Sequence, residues 1–224
     1  MAEPASGAAS ERTKVRRSAK RGVYDRETIY SILDEALICH VGFAVDDQPF
    51  VIPTIHVRVD DKLYLHGSTS SRMMRRLGEG SAACVTVTLL DGLVLARSWF
   101  HHSMNYRSVV ILARGSAVTD REEKALVFRA LVEQVVRGRA DDSRAPTEQE
   151  ADATAVVRFS IDEASAKIRG GPPMDTETDM ELPHWAGVVP LALRAGAPLA
   201  DPTLAPGIVT PKYALDYRRP SNGV

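Results

Sequence analysis

The chain has 224 residues, 44% of them apolar and 25% charged, which suits one sizeable globular domain or two small ones. Its 28 basic residues are balanced by 29 acidic ones, a net charge of −1, so no overall field favours a polyanion or a membrane surface. No run of about 18 apolar residues occurs, the amino end lacks the apolar stretch of a secretory signal, and Cys39 and Cys84 are the sole thiols. The expectation is a cytoplasmic protein that binds neither nucleic acid nor membrane, with both cysteines as small buried hydrophobes.

Residues 1–22 are rich in Ala, Ser, Lys and Arg without an apolar period, which predicts a disordered basic tail. Asp25 is a good helix cap, and Ile29, Ile32, Leu33 and Ala36 recur behind it at helical spacing. The period then changes to that of extended chain, giving six candidate strands at 37–45, 50–59, 62–67, 82–90, 93–99 and 108–118. Their connections are short and turn-forming, Asp91-Gly92 reading as a two-residue hairpin. Short connections mean antiparallel neighbours, so the predicted fold class is mainly β with helices (α+β), a six-stranded antiparallel meander closing into a barrel.

Two helices interrupt the strands. One, at 70–80, opens on serines and ends at a glycine; the other, at 119–138, is capped by Thr119 with Glu122 or Asp120 with Glu123 and turns Phe128, Leu131, Val132 and Val135 to the barrel. Residues 155–161 read as a further strand and 165–170 as its continuation. A proline-rich acidic stretch, 171–183, leads to the aromatic anchor and apolar run "HWAGVVPL" at 184–191. The predicted domain therefore spans 23–191, with a C-terminal extension over 192–224.

Several stretches carry possible chemistry. In "LYLHGSTSSRMMRR" (63–76) a strand ends at a glycine, hydroxyl residues follow, and a helix starts with Arg72 in its first turn. Helix-start N–H groups, hydroxyls and a guanidinium make a pocket for an anion such as phosphate, although neither the Walker motif nor the dinucleotide fingerprint is present. Pro53 cannot donate to a ladder and so belongs at an edge or bulge, where neighbouring backbone groups are free for a ligand; Thr54 and His56 share a face by period two. The six histidines have no metal-binding spacing, so no metal site is expected. No nucleophile elbow occurs, and the paired carboxylates fall in turns. "SWFHHSMNYRSVVI" (98–111) is too crowded with aromatic, amide and basic residues for a plain hairpin connection.

Together, "LYLHGSTSSR", "WFHHSMNYRSVV" and "GPPMD…LPHWAGVVPL" resemble the pyridoxamine 5′-phosphate oxidase-related, FMN-binding split-barrel family, in the branch of the nitroimidazole-resistance (Nim-type) proteins. The resemblance runs from about residue 16 to about 191. It implies a six-stranded split β-barrel, an FMN cofactor, and a homodimer with two flavins at the interface. Carried over by position, it places Val51, Ile52, Pro53 and Thr54 along the flavin ring and His66, Gly67, Ser71 and Arg72 around the phosphate. Asn105, Arg107 and Ser108 would approach the flavin from the barrel rim, and Trp185 would be a late aromatic near the ring. The implied activity is that of a flavin-dependent oxidoreductase on a small molecule. The sequence departs from the true oxidase at Met73, which follows Arg72 where a basic residue is expected, and in "AGVVPLALRAGAPL", where Arg194 alone does not reproduce the substrate-phosphate pattern; pyridoxamine-phosphate oxidation is not expected. No catalytic residue is assigned, with His56, His66 and His102 as candidates to protonate a reduced substrate. A non-catalytic module carrying flavin, heme or a deazaflavin is the alternative.

Overall fold

In the computed structural model, residues 8–218 are described. A two-residue strand, β1 (Gly22–Val23), precedes α1 (Arg26–Glu35), whose cap Asp25 accepts the Thr28 N–H at 2.8 Å; Ile29, Ile32 and Leu33 turn its buried face inward. β2 (Ile38–Val45) and β3 (Gln48–Val59) then pair without a register shift, joined by Asp46 and Asp47, both at positive φ as the mirror-image hairpin turn requires. β4 (Lys62–Ser68), α2 (Arg72–Gly78), β5 (Ala82–Leu95), β6 (Ser103–Arg114) and β7 (Ser116–Ala117) follow. The remainder comprises α3 (Arg121–Val135), α4 (Glu148–Ala153), β8 (Thr154–Ser160), β9 (Ala164–Arg169), α5 (Glu177–Met180), β10 (Gly187–Pro190) and α6 (Lys212–Leu215).

The strands pair antiparallel in the order β1-β9-β6-β5-β2-β3-β4-β8-β7, with β10 added to β5. The expected class is present, a mainly antiparallel β fold with a few helices of the split-barrel type, but the ten described strands form an open sheet where six were expected to close. β3 divides the path: among the described residues, 48–55 pair only with β2 and His56–Val59 only with β4. The core lies between the two halves, Val41, Val85, Val87, Val109 and Ile111 from one meeting Leu63, Leu65, Val157 and Phe159 from the other. α1 and the apolar side of α2 (Met73, Met74, Leu77) pack into the same core.

Three local expectations change. Asp91-Gly92 is no hairpin: β5 runs straight through it, and a bulge shifts the register to β6 between Leu90 and Gly92. The glycine serves a close approach, since a Cβ there would lie 3.0 Å from Val188 Cγ1 and 3.1 Å from the Val189 carbonyl on β10. β9 does not continue β8, because the chain crosses between them from the β4 side of the path to β6. Finally, the described part of the basic tail packs: Thr13 is buried, the Val15 N–H donates to Tyr24 Oη at 2.9 Å, and β1 pairs with β9. Residues 1–7 of that tail and 219–224 of the extension lie outside the described residues. The extension is tied down by Tyr213, whose hydroxyl donates to Asp142 at 2.5 Å and accepts from Arg139 at 2.7 Å.

Candidate functional site

From Gln48 to Ile55, β3 has β2 on one side and no other strand pairing among the described residues. Pro53 lies in this stretch opposite His40, and the eight-pair register with β2 passes through it unbroken, as an edge position tolerates a proline. Val51 and Pro53 face outward, Val51 with 66% of its surface exposed, while Ile52 and Thr54 are half-buried. The Arg72 guanidinium lies 4.1 Å above the centre of the Phe50 ring, so the start of α2 is brought to the same edge. Ser71 caps α2 by accepting the Met74 N–H at 3.4 Å, and Gly67 permits close packing, since a Cβ there would meet Met74 Cγ at 3.0 Å. Val51–Thr54, Gly67, Ser71 and Arg72 therefore share one edge. Phe50, which positions Arg72, was not singled out from sequence.

His66 faces the other way. By period two it shares the Tyr64 face of β4, and Tyr64 packs with Val127 and Leu131 of α3. His66 lines a cavity of about 960 Å³ between α3, the 139–147 loop and α4. Its Nδ1 is buried without a hydrogen-bond partner among the described residues, and burial pushes its pKa below the ordinary histidine value.

The remaining predicted residues lie in the corner of β5, β6, β9 and β10. Asn105 is buried, its amide donating to the Gly171 carbonyl at 3.2 Å and its oxygen accepting from Arg169. The Arg107 guanidinium is clamped from both edges: Nη1 and Nη2 donate to Glu35 at 2.5 and 2.9 Å, and Nε and Nη2 to Asp91 at 3.0 and 2.8 Å. Hydrogen bonds to Asp91 and Glu35 raise its pKa further, so it is a permanent cation whose donors are taken by two carboxylates. Ser108 Oγ donates to the Lys167 carbonyl at 3.2 Å. Trp185 is 68% exposed and packs edge-on toward Gly187, while Trp99 and Phe100 of the crowded connection are 96% and 89% exposed.

Within one chain these groups do not meet. β6 and β3 are three ladder steps apart, roughly 14 Å at about 4.8 Å per strand. Among the proton-donor candidates, His56 is fully buried with Nε2 3.0 Å from the Leu33 carbonyl, and exposed His102 places Nδ1 2.8 Å from the Ser98 carbonyl. No cluster of three or more His, Cys, Asp or Glu suited to a metal ion occurs among the described residues, and no described helix is long and apolar enough to cross a membrane. Both cysteines are free thiols, Cys39 with its pKa pushed up to about 12 by burial.

Residues 25–168 match the family described as pyridoxamine 5′-phosphate oxidase. The chain belongs to that family. Within it, the chain is similar to the flavocytochrome Anf3 from Azotobacter vinelandii, with 40% identity and a TM-score of 0.89 over 94% of this chain and 98% of that one. It is also similar to an FAD and heme binding protein from Mycobacterium smegmatis, with 37% identity and a TM-score of 0.83 over 86% and 95% of the two chains. A putative 5-nitroimidazole antibiotic resistance protein from Bacteroides thetaiotaomicron shares the fold, at 22% identity and a TM-score of 0.55 over 66% and 86%. No curated protein matches the chain.

Proposed function

We propose that this protein binds a flavin at the free edge of β3 and uses it as the redox centre for a small molecule. The observation that carries this is the stretch of β3 around Pro53, whose second edge has no strand pairing among the described residues, with the Arg72 cation held beside it on Phe50. Backbone groups along such an edge can meet the hydrogen-bonding rim of a flavin ring, and the guanidinium can meet its phosphate. The flavin supplies hydride or single-electron transfer when bound, while the residues here bind and orient it. No acid or base is assigned to the protein.

The M. smegmatis relative is described as binding FAD and heme, and the A. vinelandii relative as a flavocytochrome. At 37% and 40% identity over most of each chain, these relatives favour FAD ahead of the FMN expected from sequence, and heme as a second ligand. The nitroimidazole-resistance branch has only a likeness of fold in its favour.

A second copy completes the flavin site in this proposal. Ile38, Val51, Ile55 and Val110 leave an apolar sheet face exposed, and a partner covering it could bring its Asn105, Ser108 and Trp185 corner to the β3 edge. Titration of the purified protein with FAD and with FMN, followed by flavin absorbance, tests the reading. Uptake that weakens in Arg72→Ala is expected; uptake of neither flavin contradicts it.

A further inference from the structure

We propose that the cavity beside α3 holds the heme, with His66 as its axial ligand. This rests on the heme reading above and gives it a place. The cavity, about 960 Å³, is at the upper end of the roughly 300–1,000 Å³ of small-molecule pockets. One wall is the apolar stripe of α3, which is wider than its packing needs. Val127 is fully buried against Val57, Tyr64 and Val156, Leu131 and Phe128 both pack on that cluster and line the cavity, and Val132 lines it as well.

The cavity is also lined by His66, whose imidazole Nδ1 is buried without a hydrogen-bond partner among the described residues; an unprotonated ring nitrogen of this kind can ligate a metal. One histidine cannot hold a bare ion, and no larger ligand cluster exists among the described residues. A heme brings four nitrogen ligands of its own and needs as little as one from the protein. Lys124 and Arg144 add positive charge suited to the propionates. Lys124 donates to the Ala151 carbonyl at 2.5 Å and has no carboxylate partner among the described residues, and Arg144 donates to the Ala145 carbonyl at 3.0 Å and pairs with Glu150 in an exposed contact that water screens. Among the described lining residues, His66 is the only His, Met or Cys, and so the one that would hold the iron. His66 and Gly67 are neighbours on opposite faces of β4, which places this cavity and the flavin edge on either side of one strand end.

The test is hemin titration of the wild type and His66→Ala, read by the Soret band, with flavin uptake measured in parallel. The wild type is expected to saturate near one heme per chain. His66→Ala should bind more than about tenfold more weakly, with a displaced band that added imidazole restores, while flavin uptake is unchanged. A wild-type band and affinity in His66→Ala would overturn this site and leave the heme reading standing. Absence of heme uptake by the wild type would overturn both.

Discussion

Arg107 on β6 and Glu35 at the end of α1 meet in two charge-assisted hydrogen bonds, at 2.5 and 2.9 Å, in a nearly dry setting. The other edge of the guanidinium holds Asp91, the residue at which β5 bulges, so one side chain ties a helix, a strand and a bulge together. Removing it strands a buried carboxylate. Arg107→Ala is expected to cost about 3–5 kcal/mol in urea unfolding, as for broken buried ion pairs; a loss under about 1 kcal/mol would mean that the clamp is not structural.

Arg72 is exposed and stands on Phe50, without an acidic partner among the described residues. Its replacement by alanine should leave stability within about 0.5 kcal/mol and weaken flavin binding by about 1.5–3 kcal/mol, the worth of one charged hydrogen bond. Equal flavin affinity in the two proteins would remove the phosphate role.

His66 predicts a pH dependence. Burial lowers the pKa of its imidazole in the folded state, so the unfolded chain takes up that proton first. Stability is therefore full above the unfolded value near 6.5 and falls as the pH drops through it toward the folded value. The apo wild type should lose more stability than His66→Gln between about pH 7.5 and pH 5, the other histidines being common to both. Parallel curves for the two would contradict this.

Ile38, Val51, Ile55 and Val110 form the uncovered sheet face. Light scattering is expected to give twice the mass of one chain, 24.4 kDa, and Val110→Arg with Ile55→Arg to shift it to the monomer with weakened flavin binding. A wild type that is monomeric yet binds flavin fully would rule out a shared site.

Much of the fold was legible because local signals agreed with tertiary ones. Asp25 caps a helix with one apolar face, and the alternating burial of β2 and β3 matches their register. Asp91-Gly92 misled because its turn chemistry is used for something local sequence does not encode: Asp91 meets Arg107, and Gly92 makes room for β10, which arrives almost 100 residues later. The half capping box at α3 has a similar origin. Asp120 caps the Glu123 N–H at 2.7 Å, but the Glu123 carboxylate turns instead to Tyr64 and Arg158. In the candidate site, Pro53 and Arg72 were visible as an edge and a basic helix start. The Glu35 partner of Arg107 was not, lying 72 residues away, and neither was the cavity at His66, which three distant segments enclose.

The most direct measurement is the absorbance spectrum of the purified protein before and after heat release, with chromatography of what is released. Flavin bands that move to the supernatant as FAD or FMN are the predicted result. A colourless protein that takes up neither flavin when each is added would contradict the flavin site at the edge of β3.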